Sequence, residues 1–303
     1  METKIIKPSP LSAGDVIGIA APSGPFKVEI LERGIDAIEK MGFDVMVPDN
    51  LQHPYKYLAA PDEHRALLLQ NLFNSPDIKG IICAEGGYGS IRILDLIDFD
   101  MIRNHPKIFL GFSDISALIS TINIMSGLVT FHGPQVTCLC PANQQTKASF
   151  YRALTSDQPL EIISENPSVI LPGRATGVVV GGNLATLCHL LGTRYSPIYR
   201  GCIFVMEDTR EPHYKIDRML FQMRMAGCFQ GISGIVMGSF HDCGKYEGVC
   251  DIVKNLFEDL QVPILGGFDI GHGETNLTIP MGIRATLDTD HTNLVFHESA
   301  TIR

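Results

Sequence analysis

From residue 16 to about residue 140 the chain alternates short, almost purely apolar runs with segments of helical spacing. Val16-Ile17-Gly18-Ile19-Ala20-Ala21, Ile78 to Ala84 and Ile108 to Leu110 are such runs, and Ile30 to Met41 is a helical pattern. A strand that is apolar at every position has no solvent face. It must therefore sit in a sheet covered by helices on both sides, which is the parallel sheet of an α/β protein. Ligands of such sheets are expected at the carboxyl ends of the strands. Three loops leave those ends, Pro22-Ser23-Gly24-Pro25, Glu85-Gly86-Gly87-Tyr88-Gly89 and Gly111-Phe112-Ser113-Asp114, all rich in Gly, Pro or Ser.

With 303 residues, 45% of them hydrophobic, the chain is long enough for two domains with sizeable cores. Residues 1–140 form the expected N-terminal α/β domain, of Rossmann or flavodoxin type. Residues 141–175, with Pro141, Asn143, Pro159, Asn166, Pro167, Pro172 and Gly173 and little apolar periodicity, suit a linker, with the boundary near 165. Residues 176–303 are expected to form a β-rich α+β domain. Gly177 to Asn183, Gly201 to Met206, Ala285 to Asp288 and Leu294 to Phe296 read as strands, and Leu184 to Leu191 and Ile216 to Met225 as helices.

The net charge of -9 provides no basic face for a phosphate backbone, so nucleic acid is not an expected partner. The first eight residues lack the apolar core of a signal peptide, and no run approaches the roughly 18 apolar residues of a membrane helix. A cytoplasmic protein with no membrane partner is expected. The eight cysteines include no C-x-x-C pair, and several lie in apolar runs such as Ile81-Ile82-Cys83-Ala84. They read as buried free thiols. His241-Asp242-Cys243 and Cys188-His189 come nearest to a ligand cluster, but neighbouring side chains diverge, so no metal and no other cofactor is expected.

The corner at residues 111–114 carries the most chemistry. Ser113 stands where an apolar strand turns sharply into a helix, whose free N–H groups and positive dipole end favour a developing anion. The hydrolase nucleophile elbow is matched only in part, since it has a glycine two residues after the serine and this chain has Ile115. Gly86-Gly87-Tyr88-Gly89 is neither a dinucleotide fingerprint nor a P-loop. A backbone without side chains at 86, 87 and 89 could instead present N–H groups to an oxyanion. A serine nucleophile needs a base and a carboxylate to orient that base. His272, flanked by Gly271 and Gly273, is the best-placed of the ten histidines, with His132 as competitor in an apolar stretch. Glu207 and Asp208 end the strand-like Cys202 to Met206 and are the candidate acids.

Taken together, these segments resemble one family. Leu11-Ser12-Ala13-Gly14-Asp15 with Ala21-Pro22-Ser23-Gly24, Gly86-Gly87-Tyr88-Gly89, Gly111-Phe112-Ser113-Asp114, Glu207-Asp208 with Tyr214 to Leu220, and Gly271-His272-Gly273 with Asn276, Pro280 and Gly282 resemble the LD-carboxypeptidases. These are the serine peptidases of family S66, which also include microcin C self-immunity proteins. The resemblance implies a catalytic triad of Ser113, Glu207 and His272 and an oxyanion hole from the backbone N–H groups of Gly87 and Asp114. It implies a cytoplasmic homodimer that hydrolyses the L,D-peptide bond of murein tetrapeptide in cell-wall recycling. One departure is Glu85, where the family commonly has arginine. Two other functions remain open: an immunity-like hydrolase of peptidyl or aminoacyl adenylates, and a small-molecule binding protein without catalysis. The absence of tryptophan removes one stacking surface for adenine, although eight Tyr and fifteen Phe remain.

Overall fold

The computed structural model describes residues 5–303. The chain divides into two compact units. The first runs to Asp157 and takes back Leu277–Pro280 and Ala300–Arg303; the second comprises Gln158–Asn276 and Met281–Ser299.

In the first unit, β1 (Val16–Ala20), β2 (Asp44–Met46), β3 (Ile78–Cys83), β4 (Ile108–Gly111) and β5 (Thr130–His132) lie in the order β2-β1-β3-β4-β5. Every neighbouring pair among them is parallel. Ile17, Ile19, Ile81, Ile82, Ile108, Phe109 and Leu110 have no exposed surface, as the unbroken apolar runs require of a doubly covered sheet. The helices are α1 (Val28–Glu39), α2 (Asp62–Asn74), α3 (Ser90–Ile93), α4 (Phe99–Asn104), α5 (Ser116–Ser126), α6 (Val136–Leu139) and α7 (Gln144–Thr155). The winding reverses between β1 and β3, so the loops after these strands flank the crevice where doubly wound sheets bind ligands.

The segment expected to be a linker, residues 141–175, is structured. Asn143 caps α7 by accepting the Thr146 N–H at 2.9 Å, and Phe150 and Leu154 are fully buried. Two strands follow, β6 (Glu161–Ile163) and β7 (Ser168–Leu171), and the division between units falls at Asp157/Gln158. Composition concealed these elements because α7 buries few apolar residues, and both strands sit at sheet edges where half their side chains are polar or exposed.

The second unit is built on an eight-stranded sheet. To β6 and β7 it adds β8 (Arg174–Asn183), β9 (Cys202–Thr209), β10 (Gly234–His241), β11 (Ile264–Gly266), β13 (Arg284–Asp288) and β14 (Asn293–Phe296), in the order β6-β14-β13-β8-β9-β10-β11-β7. The intervening β12 (Ile279–Met281) lies beside β5 in the other sheet. The central strands β8 to β11 are parallel and the outer ones antiparallel. Helices α8 (Leu184–Cys188), α9 (His213–Met225) and α10 (Tyr246–Phe257) connect them. β9, with Ile203 to Met206 fully buried, is the core strand. Its pairing with β10 slips by one residue: Met237 faces Met206, yet Phe240 faces Asp208. Gly238 and Ser239 thus oppose the single residue Glu207, a bulge of the kind that re-aims side chains. No helix among the described residues is long and apolar enough to cross a membrane.

Candidate active site

The candidate residues fall into two groups, one in each unit. In the first, β4 ends at Gly111, Phe112 stays extended, and Ser113 adopts φ +60°. That left-handed conformation costs a non-glycine residue roughly 1 kcal/mol or more and marks positions where neighbours over-determine the backbone. A 3-10 turn from Ser113 to Ile115 then leads into α5. Gly111 contributes room rather than torsional freedom, since a Cβ there would lie 2.8 Å from Ile115 Cγ2. The strained residue of the corner is the serine itself.

The glycine loop after β3 lies directly against this serine. A Cβ on Gly86 would stand 3.1 Å from Ser113 Cβ and 3.3 Å from its Oγ, so a side chain here would push the loop and the serine apart by a few tenths of an ångström. The Gly86 carbonyl accepts the Gly24 N–H at 2.9 Å. Gln135 Nε2 donates to the Phe112 carbonyl at 2.8 Å. The carboxylate of Asp114, 7% exposed, gathers the surrounding loops. Its Oδ2 accepts Ser23 Oγ at 2.5 Å, Ser90 N–H at 2.8 Å and Ser90 Oγ at 2.6 Å. Glu85 is tied down as well, accepting the Gly86 N–H at 3.2 Å and the Thr137 hydroxyl at 2.8 Å. The competitor His132 is fully buried on β5, its ring edge-on to Phe112.

In the second unit, Glu207 and His272 meet. Glu207 has no exposed surface, and its Oε2 accepts His272 Nδ1 at 2.7 Å and the His272 backbone N–H at 3.1 Å. A carboxylate accepting from Nδ1 fixes the proton there and leaves Nε2 as the basic nitrogen. Two glycines make room for this carboxyl group. A Cβ on Gly271 would strike the carboxyl group of Glu207, and one on Gly238, in the β10 bulge, would come within 3.2 Å of Glu207 Cβ. Ser239 Oγ donates to the His272 carbonyl, and Asn276 Oδ1 accepts the Gly271 N–H at 2.9 Å. Burial pushes the His272 pKa down, but the hydrogen bond and charge of Glu207 outweigh it, so the imidazole titrates above the ordinary histidine value.

Asp208, one residue on, faces elsewhere. Its Oδ1 accepts Asn183 Nδ2 at 3.1 Å and the Thr209 N–H at 2.8 Å, and its Oδ2 accepts the Ala185 N–H at 2.9 Å in the first turn of α8. Burial and the neighbouring Glu207 push its pKa up to about 6. All eight cysteines are free thiols, but Cys138, Cys140, Cys202 and Cys250 are only half-buried, contrary to the expectation that the set would be buried. Their runs lie at element ends, where apolar neighbours in sequence do not guarantee cover in space.

Comparison with known proteins finds a family match in each part of the chain. Residues 17–133 match the model of the LD-carboxypeptidase N-terminal domain, and residues 176–287 that of the LD-carboxypeptidase C-terminal domain. The chain is 36% identical to the probable murein peptide carboxypeptidase of Bacillus subtilis (strain 168), over 93% of this chain and 92% of that one. It is 32% identical to the murein tetrapeptide carboxypeptidase of Pseudomonas aeruginosa, over 90% and 92%. Among solved structures, an MccF-like protein from Bacillus anthracis str. Ames superposes with a TM-score of 0.91 at 27% identity, covering 97% of this chain and 99% of that one. Two domain matches in chain order, together with full-length relatives above 30% identity, show that the chain belongs to the LD-carboxypeptidases, the serine peptidase family S66.

Proposed function

We propose that the protein hydrolyses the L,D-peptide bond of a murein tetrapeptide, releasing the terminal D-amino acid, with Ser113, His272 and Glu207 as its triad. The observation that carries this reading is the Glu207–His272 pair. A fully buried carboxylate holding Nδ1 at 2.7 Å is the orienting arrangement a general base requires. His272 Nε2 takes the Ser113 hydroxyl proton as Oγ bonds to the scissile carbonyl carbon. The N–H groups of Gly87 and Asp114 stabilise the resulting oxyanion. His272 then gives its proton to the departing amine as the C–N bond breaks, and water, activated by the same imidazole, hydrolyses the acyl-enzyme. None of these steps calls for a cofactor.

A cytoplasmic homodimer belongs to the same reading. Tyr214, Phe221 and Met225 form an exposed apolar stripe along one face of α9, with Met225 76% exposed, and Asp217 and Arg218 beside it offer opposite charges to a second copy.

The test is mass spectrometry of a murein tetrapeptide incubated with the protein, alongside an aminoacyl sulfamoyl adenosine as competitor. Loss of one D-alanine is expected, abolished in Ser113→Ala by a factor on the order of 10³ or more. Cleavage of acyl adenylates with the tetrapeptide untouched would transfer the assignment to the immunity-like activity. No turnover of either, with binding retained, would leave a binding protein.

A further inference from the structure

Helix α2 buries Ala66, Leu69, Leu72 and Phe73, and on the same side it buries Arg65, which is 2% exposed. A guanidinium removed from water must place its donors on acceptors with good geometry. Nε donates to the Ala60 carbonyl at 3.0 Å. Nη1 donates to the Gly89 carbonyl at 3.0 Å and also to the Pro22 carbonyl. Nη2 pairs with Asp62 Oδ1 at 2.5 Å, and Asp62 is itself held by Arg92, Nη2 to Oδ2 at 2.6 Å.

Two of these acceptors belong to the loops that frame Ser113. The Pro22 carbonyl lies in the loop after β1, and the Gly89 carbonyl closes the glycine turn after β3. The other end of that turn is bound to the same β1 loop, through the Gly24 N–H on the Gly86 carbonyl at 2.9 Å. The turn is thus anchored at both ends, by Gly24 at residue 86 and by Arg65 at residue 89, and the Gly87 N–H lies between the anchors. Gly87 and Gly89 hold φ +104° and +130°, states open to glycine without a Cβ clash, and because glycine leaves them as readily as it enters them, the direction of this turn is set by its anchors.

We infer that Arg65 is a positioning residue for catalysis: by holding the Pro22 and Gly89 carbonyls on one guanidinium, it sets the direction of the Gly87 N–H as an oxyanion donor. This rests on the assignment of Ser113 and Gly87 made above. Arginine is needed because the acceptors lie around a planar fork. A lysine keeps the charge but has one nitrogen, and cannot serve Ala60, Gly89, Pro22 and Asp62 together.

Arg65→Lys is compared with the wild-type full-length protein by thermal midpoint, by kcat and KM on a murein tetrapeptide, and by the rate at which a fluorophosphonate labels Ser113. An oxyanion donor acts on the transition state, so kcat and the labelling rate are expected to fall together by about 10- to 100-fold, with KM changed less than about threefold. Labelling and kcat within about twofold of wild type per folded molecule, or a rise in KM alone, would overturn the assignment and leave Arg65 a purely structural residue. Should Arg65→Lys not fold, Arg65→Gln replaces it: its amide keeps a donor near the same carbonyls but cannot reach them all, it leaves the glycine turn itself unaltered, and the same outcomes decide. If wild-type Ser113 is not labelled, or Ser113→Ala keeps its turnover, the nucleophile assignment has failed and the role of Arg65 falls with it. That result differs from a labelled Ser113 that is indifferent to Arg65.

Discussion

Glu207 affects His272 in two separable ways. As an acceptor at 2.7 Å from Nδ1 it orients the ring, and as a charge it raises the imidazole pKa against the opposing effect of burial. Only neutral imidazole can accept the serine proton, so the rate should fall with decreasing pH through a pKa above the ordinary histidine value of 6.5. Glu207→Gln removes the charge and weakens the orienting bond, since an amide can turn its NH2 to Nδ1 instead of its oxygen. Without the carboxylate, burial and Arg210 are opposed only by the charge of Asp208, and the His272 pKa should drop. The variant's acid limb in kcat/KM should therefore move to lower pH, while its plateau falls by on the order of 10² to 10⁴. A pH profile of kcat/KM for both proteins is the measurement. A loss in rate with an unmoved acid limb would mean that Glu207 is not the group coupled to the titrating base.

At the scale of elements, the sites depend on how strands end and pair. Asp208 accepts the Ala185 N–H at the start of α8 and the Asn183 side chain, so it ties the end of β9 to that helix and not to the imidazole. Asp208→Asn should cost about 1–3 kcal/mol of stability through mismatched donors, with a much smaller effect on kcat per folded molecule than Glu207→Gln. The Asp208 carboxyl group holds its proton more tightly when folded, up to about 6 against 3.8, so its contribution to stability is present below 3.8 and lost as pH rises through about 6. Asparagine has no proton to lose. The stability gap between the two proteins should narrow over that window, and denaturant titrations at several pH values will show whether it does. Much at this scale was legible in the sequence. Apolar runs marked β1, β3 and β4 of the first unit, but not β2 and β5, which are three residues each and too short to show as runs, and the Gly-rich loops drew attention to Ser113 and His272. The bulge in β10 was not legible, because an extra residue exists only relative to the pairing with β9. Arg65 did leave a signal, a charge on the same side as Ala66, Leu69, Leu72 and Phe73. Its meaning needed the carbonyls of residues 22, 60 and 89, which no spacing within α2 reveals.

At the scale of the whole molecule, Ser113 belongs to one unit, and Glu207 and His272 belong to the other. The chain passes between the units at Asp157/Gln158, at Asn276/Leu277, at Pro280/Met281 and at Ser299/Ala300, so neither unit is a continuous stretch of sequence. Five residues after His272, at Leu277, the chain re-enters the first unit, where the Thr278 N–H bonds Ser149 Oγ at 3.0 Å. The proposed triad makes a quantitative demand. If Ser113 and His272 serve one reaction, removing either abolishes the same step, and removing the second afterwards has nothing further to abolish. Ser113→Ala and His272→Ala should each lower kcat/KM by on the order of 10³ or more, and the double variant should be no worse than the poorer single one. Independent roles would instead make the losses multiply. Measuring kcat/KM for all four proteins, with circular dichroism to confirm that each is folded, separates the two cases: multiplied losses would mean that the groups of the two units do not act as one catalytic site.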